Sequence, residues 1–147
     1  MDDDKKAFAP VTVESIQKAY QVLKEQKIVG VLVGTSALWM LGFDVTPGDI
    51  DFLVLKAPKG DDLQLKLSKG STEESATGSI DGVKVDYIPA SGLRQRYFTN
   101  GKGLWIQDVC VAPLHNILGL KRLADRQQDR DFLFRWSYGL VGIRRNV

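Results

Sequence analysis

The sequence predicts an α/β (α+β) fold in which helices pack on a mixed β-sheet within a single domain. Three observations lead to this fold class. Short apolar runs alternate with stretches of helical periodicity, and two helical stretches follow the last predicted strand. The 147 residues fit one domain of ordinary size. No repeat, low-complexity tract or Pro/Gly linker divides the chain. We therefore expect a disordered N-terminus over residues 1–10, the domain over 11–140 and a tail over 141–147.

The first two elements are a helix and a buried strand. Thr12 is a suitable helix cap, and four apolar residues then recur at helical spacing: Ile16, Ala19, Tyr20 and Leu23. Residues 28–33 are apolar and rich in β-branched side chains, which predicts a buried strand.

A short helix and a second strand follow. Thr35 or Ser36 can cap a helix that ends at Gly42. A Pro-Gly turn then leads into a strand predicted for residues 49–55.

The middle of the chain predicts a further set of strands. Residues 63–67 alternate leucine with polar residues, which predicts a half-buried strand. Residues 68–77 are mostly polar and are expected to form a loop. An Asp-Gly pair favours a hairpin between residues 76–80 and 83–88.

The last third predicts one strand and two helices. Residues 104–111 form the strand. Pro113 suits the first turn of a helix that runs to about residue 124, and a final helix covers about 128–138. This region holds seven basic and three acidic residues between positions 121 and 145. It can meet phosphate, but we favour a solvated helix surface.

Composition excludes several classes of protein. One cysteine, Cys110, cannot form an internal disulfide, and with one histidine the chain has no Cys/His zinc site. No apolar run reaches the ~18 residues of a membrane span, and no signal peptide is evident. We therefore expect a cytoplasmic protein with no membrane partner. A net charge of +2 gives no general reason to expect nucleic acid.

Two carboxylates on the second strand are the main functional signal. Side chains alternate along a strand, so Asp49 and Asp51 point to the same face. Like charges side by side are unfavourable unless a cation compensates them, and Mg²⁺ prefers carboxylate oxygen. Asp86, on the strand predicted for 83–88, is a third candidate. The alternative is that Asp49 merely follows a turn while Asp51 and Asp86 face solvent, and an isolated Asp-x-Asp would favour it.

The segment before this strand strengthens the case for a site. Gly34, Thr35 and Ser36 follow a buried strand and precede a helix, 15 residues before Asp49. Backbone N–H groups exposed at such a turn can bind the phosphates of a nucleotide.

The order of these motifs resembles that of the nucleotidyltransferase (DNA polymerase β-like) superfamily. The residues of the motifs are most similar to those of bacterial AbiEii-type and small uncharacterised members. The resemblance covers about residues 28–133. It implies that Gly34 with Thr35 or Ser36 binds the triphosphate of an NTP. It also implies that Asp49 and Asp51 bind Mg²⁺ or Mn²⁺ and that Asp86 completes the triad.

Lys121 is a further candidate from the helix that starts near Pro113. It falls within the apolar stripe of Leu114, Ile117 and Leu118. It either snorkels at the domain edge or reaches a carboxylate or a nucleotide phosphate. AbiEii-like proteins carry a similar lysine on a late helix, followed by Arg and Asp residues that resemble Arg126 and Asp129-Arg130-Asp131. The resemblance implies a catalytic and nucleotide-binding role for Lys121.

Two functions from different classes follow. The first is an enzyme that transfers a nucleoside monophosphate from an NTP to an RNA end, a protein or a small molecule. The second is a degenerate fold that binds nucleotide or a partner, as in a toxin–antitoxin pair. The presence of all three acids, Asp49, Asp51 and Asp86, favours the enzyme. Thr35, where relatives have Gly or Ser, and the absence of an Arg before Asp49 favour the second function. Acceptor recognition is expected to involve a homodimer, a partner protein or the basic C-terminal helix.

Overall fold

The computed structural model describes residues 8–67, 73–98 and 102–145. Four helices and seven strands make up this part of the chain, with one 3₁₀ helix at Gly92–Tyr97. In chain order the other elements are α1 (Val13–Glu25), β1 (Gly30–Val33), α2 (Gly34–Met40), β2 (Ile50–Val54), β3 (Leu63–Leu67), β4 (Glu74–Ile80), β5 (Val83–Pro89), β6 (Leu104–Ile106), β7 (Val109–Val111), α3 (Leu114–Ala124) and α4 (Gln127–Ser137).

The strands form one mixed sheet in the order β3-β4-β5-β2-β1-β7-β6. β2 lies near the centre, where it pairs in parallel with β5 and antiparallel with β1. β1 in turn pairs in parallel with β7. This architecture confirms the predicted fold class of a mixed sheet with packed helices.

Alternation along β2 and β5 gives the two faces of the sheet different roles. Phe52 and Tyr87 are fully buried against α1: the Tyr87 hydroxyl donates to the Ala19 carbonyl at 2.7 Å, and Tyr20 stacks on Phe52. Asp51 and its neighbours therefore face the other side, toward α3 and α4. The apolar core fixes which face carries the carboxylates.

The first two helices begin in different ways. Thr12 caps α1, as the sequence predicts, and it also forms a reciprocal capping box with Ser15. The predicted cap of α2 by Thr35 or Ser36 is wrong, because this helix begins at Gly34 with no side-chain cap. The Ser36 hydroxyl instead donates to the Asp49 carbonyl. The backbone just before β2 supplies an acceptor that local sequence does not reveal.

The strand predicted for residues 63–67 is present as β3, but it is more exposed than the predicted half-buried strand. It is an edge strand paired only with β4, and Leu65 and Leu67 are 49% and 59% exposed. Residues 68–72 of the predicted loop lie outside the described residues. The loop prediction is wrong for residues 74–77, because β4 already begins at Glu74 and pairs with both β3 and β5.

The predicted strand over 104–111 is a hairpin of β6 and β7. Gln107 and Asp108 have φ angles of 48° and 66°, so two successive left-handed residues reverse the chain. The two closing helices confirm the predicted ones to within a residue or two. No helix in the described part of the chain is long and apolar enough to cross a membrane.

Both ends of the described chain contact the domain. The Ala9 amide donates to the Gly82 carbonyl at 2.9 Å, in the turn between β4 and β5. Near the other end, Ile143 forms an antiparallel bridge with Phe43, and the Asp44 amide donates to the Gly142 carbonyl at 2.9 Å. This C-terminal contact supports the segment that leads from α2 to β2. Residues 1–7, 146 and 147 lie outside the described residues.

Candidate functional site

A cleft of about 1150 Å³ lies on the face of the sheet opposite α1. The start of α2, the segment before β2, strands β2 and β5, and helices α3 and α4 form its walls. Its charged wall residues include six acids and five bases: Asp44, Asp49, Asp51, Asp86, Asp129, Asp131, Lys84, Arg94, Lys121, Arg126 and Arg135. A polar ligand that carries both metal and phosphate fits this mixture of charges.

The three predicted carboxylates converge in this cleft. One carboxylate oxygen from each of Asp49, Asp51 and Asp86 lies within 4.8 Å of the others. The sheet explains this geometry, because Asp51 and Asp86 are directly paired on parallel strands. Asp49 precedes β2 by one residue and points to the same face. An all-oxygen, closely spaced set suits a hard divalent cation.

Gly34 forms the floor beside Asp51. Its φ angle is +71°, and a Cβ atom there would lie 3.1 Å from Asp51 Oδ2. Glycine is therefore required both by the left-handed backbone and by the close approach of the carboxylate. Backbone pairing of Val33 with Asp51 produces this approach.

Gly34→Ala is expected to weaken Mg²⁺ binding at least about tenfold, because the added methyl group displaces the Asp51 carboxylate. The positive φ alone should lower the free energy of unfolding by about 1 kcal/mol. Gly139→Ala is the matched control, since Gly139 has a φ of +69° and no atom within 4 Å of a built Cβ. Calorimetry should show normal Mg²⁺ binding in the control. Equal binding by both variants would contradict the role of the close approach.

Burial and mutual repulsion raise the proton affinity of the triad. The pKa of Asp51 is raised to about 7, chiefly by burial and then by the charges of Asp49 and Asp86. Burial and Asp86 also raise the pKa of Asp49. The charges of Lys84 and Arg126 act in the opposite direction on both groups. The folded protein thus holds anionic charge at an energetic cost that a bound cation would reduce.

The metal-free protein is expected to lose stability as pH rises from about 4 to about 7. In this window the folded Asp51 keeps a proton that the unfolded chain releases, so the folded state binds more protons and rising pH favours unfolding. Urea unfolding across this range, compared between wild type and Asp51→Asn, measures the effect. Millimolar Mg²⁺ should remove the difference in slope. A parallel pH dependence of the two proteins without metal would contradict the prediction.

An ion-pair network around the buried Asp129 closes the cleft on the side of α3 and α4. Asp129 is fully buried and accepts hydrogen bonds from Arg126 Nε at 2.8 Å and Nη2 at 3.2 Å. Lys121 Nζ lies 3.7 Å from the same carboxylate and 4.9 Å from the centre of the Phe132 ring. The network holds two cations on the wall that faces the triad.

The pKa values follow from these contacts. Burial lowers the pKa of Lys121, and Asp129 offsets part of that effect. Burial raises the pKa of Asp129, but hydrogen bonds from the Arg126 side chain and backbone outweigh it, so the pKa lies below its ordinary value. The pKa of Arg126 is raised, first by its hydrogen bond to Asp129. The contacts between Arg126 and Asp129 thus favour the charged forms of both groups, whereas burial opposes the charge of Lys121.

The other predicted residues lie at or next to the cleft. Gly34, Thr35 and Lys121 line it. Ser36 is buried behind the wall, where its hydroxyl holds the Asp49 backbone. The structure thus places Ser36 to orient a carboxylate rather than to contact a ligand with its side chain.

Sequence reasoning missed two neighbours of the triad. Lys84 precedes Asp86 by two residues on β5, and its Nζ lies 3.6 Å from Asp86 Oδ2. The alternation of side chains on the predicted strand was a sufficient signal for this lysine. Thr77 donates from β4 to Asp86 Oδ1. No local pattern indicates Thr77, because the contact depends on the register between two strands.

Comparison with known proteins agrees with the fold. No protein-family model matches the chain, and no curated protein matches it in sequence. Among solved structures it is similar to "a putative nucleotidyltransferase (TM1012)" from Thermotoga maritima, with a TM-score of 0.53 at 18% identity. The match covers 86% of this chain and 92% of that chain. The chain therefore has a nucleotidyltransferase-like fold, and its carboxylate cluster is compatible with that class of site.

Proposed function

We propose that this protein is a metal-dependent nucleotidyltransferase that moves a nucleoside monophosphate from an NTP to a hydroxyl or phosphate acceptor. The convergence of Asp49, Asp51 and Asp86 on one cleft wall is the observation that carries the proposal. The nucleotidyltransferase-like fold supports the same conclusion independently.

Mg²⁺ or Mn²⁺, bound by Asp49, Asp51 and one oxygen of Asp86, would supply Lewis-acid stabilisation of the phosphates. The residues of the chain would perform the remaining tasks. Asp86 would accept the proton of the acceptor hydroxyl as its oxygen bonds to the α-phosphorus. The bond from that phosphorus to the bridging oxygen would break, and pyrophosphate would leave. Lys121 and Arg126 face this position from the opposite wall and would offset the negative charge that develops.

The backbone around Gly34 would orient the triphosphate. Gly34 and Thr35 line the cleft at the start of α2, where N–H groups lack partners within the helix. Thr35 stands where many relatives have a smaller residue. Residues 45–48, just before Asp49, carry no cation, but Arg126 supplies one on the cleft wall. The positive charge that the segment before Asp49 lacks is thus available from α4.

The finer assignment to an AbiEii-like type belongs to the same proposal. Lys121, Arg126 and Asp129 occur in the order that the resemblance implies, and they meet in one ion-pair network around the buried Asp129 carboxylate. A nucleotide-binding module without catalysis is the second candidate, favoured by Thr35. Both candidates require nucleotide in the cleft, and only the first requires transfer.

Incubation with Mg²⁺, each labelled NTP, total RNA and candidate acceptor proteins tests the proposal. We expect label transfer and release of pyrophosphate by the wild type and neither by Asp49→Ala/Asp51→Ala. Calorimetry of the same proteins separates the two candidates. Metal-dependent NTP binding without transfer to any acceptor would favour the binding module. Absence of NTP binding in wild type would overturn both.

A further inference from the structure

Asp86 has a different neighbour at each of its two oxygens. The Thr77 hydroxyl donates to Oδ1, and Lys84 Nζ lies 3.6 Å from Oδ2. The Asp86 side chain is 24% exposed, so these two contacts shape how it enters the cleft. Their physical character differs, and this difference suggests two distinct roles.

Thr77 holds Oδ1 of Asp86 from a rigid position. It lies directly opposite Asp86 in the antiparallel pairing of β4 with β5, and β4 is also paired with β3 on its other side. The hydroxyl lies 3.3 Å from the Val85 carbonyl as well, but the Asp86 carboxylate is the nearer acceptor. A short β-branched side chain with few rotamers restricts rotation of the carboxylate it bonds.

Lys84 makes a weaker and more exchangeable contact. At 3.6 Å the ammonium lies beyond hydrogen-bond distance from Oδ2, and the lysine side chain is 44% exposed. Its charge also acts on Asp49 and Asp51. Lys84 thus neutralises part of the negative charge of the triad, as a bound metal ion would. Unlike a bound ion, its flexible side chain can move to solvent at low cost.

We propose that Thr77 is a positioning residue for Asp86 and that Lys84 is a placeholder cation which a divalent ion displaces from Oδ2. The inference rests on the proposed function, because it assumes that the triad binds metal. Thr77 retains Oδ1 in both states, which leaves Oδ2 directed toward the ion. The two neighbours of one carboxylate should therefore affect metal affinity in opposite directions.

Titration with Mn²⁺ at pH 8 without nucleotide, followed by electron paramagnetic resonance, tests this division. Thr77→Val removes the hydroxyl but keeps the shape, and should weaken the Mn²⁺ Kd about tenfold. Thr77→Ser restores the hydroxyl and should bind within about twofold of wild type. Lys84→Met removes the competing charge and should tighten the Kd about threefold. Thr77→Ala is a second hydroxyl-free variant if the valine substitution perturbs the sheet.

Each part of the proposal has its own contrary result. Wild-type affinity in the hydroxyl-free variants, or loss of affinity in Thr77→Ser, would overturn the positioning role. Unchanged or weaker Mn²⁺ binding by Lys84→Met would overturn the placeholder role. A wild-type protein that binds no Mn²⁺ even with ATP present would overturn the proposed function, and this inference with it. The first two results leave the proposed function intact, so the failures are distinguishable.

Discussion

Asp51→Asn is expected to abolish nucleotidyl transfer while making the metal-free protein more stable. If Asp51 binds metal as proposed, its loss should lower the transfer rate at least about 10³-fold. The pKa of Asp51 is raised to about 7 by burial and by its two acidic neighbours, so its ionised form is costly at pH 8. Neutral asparagine should therefore raise the free energy of unfolding by roughly 2 to 4 kcal/mol.

Urea denaturation and label transfer on the same preparations test both halves of this prediction. Asp61→Asn is the control, because it removes an equal charge from an exposed residue that does not line the cleft. We expect the control to change neither quantity measurably. Transfer at the wild-type rate by Asp51→Asn would contradict the metal-binding role. A loss of stability at pH 8 would contradict the electrostatic account of the triad.

Among the single substitutions proposed, Asp129→Asn is expected to cause the largest decrease in the free energy of unfolding. Asp129 is fully buried and compensates Lys121, whose side chain is only 8% exposed, as well as Arg126. Removal of this charge leaves Lys121 buried with no neighbouring anion in contact, which should cost about 3 kcal/mol. The free energy of unfolding, measured in guanidinium chloride at neutral pH, gives the value directly.

A second Asp–Arg contact of the same region provides the matched control. Asp125 Oδ1 lies 3.3 Å from Arg130 Nη1, but these side chains are 68% and 52% exposed. Asp125→Asn should cost no more than about 0.5 kcal/mol, since water solvates both groups. Adding Lys121→Met to Asp129→Asn should recover part of the lost stability, because the uncompensated charge disappears. Equal effects of the two aspartate substitutions would contradict the burial argument.

Local pattern was sufficient for the elements that carry the triad. Alternation placed Asp49 and Asp51 on one face, and the apolar residues between and after them defined the other. The same rule placed Asp86 on the polar face of its strand. Helical periodicity placed Lys121 within an apolar stripe, where the structure finds it buried. These conclusions need only the geometry of a single element.

Elements whose burial or pairing depends on neighbouring strands were predicted less well. The leucines of β3 alternate as in a half-buried strand, yet the strand lies at the sheet edge, where Leu65 and Leu67 are exposed. The turn at Gln107 and Asp108 contains no glycine, so an apolar run conceals a hairpin. In the first case the position of the strand in the sheet decides which side chains are buried. In the second, strand pairing decides where the chain reverses.

The sequence by itself determined that Asp49 and Asp51 share a face, because side-chain direction in a strand is a property of the local backbone. The tertiary structure decided that Asp86 joins them, since strand register brings it opposite Asp51. It also assigned Thr77 to Asp86, and Arg126 with Lys121 to Asp129. Such pairings depend on contacts between elements far apart in the chain, and only the packed sheet and helices fix those distances.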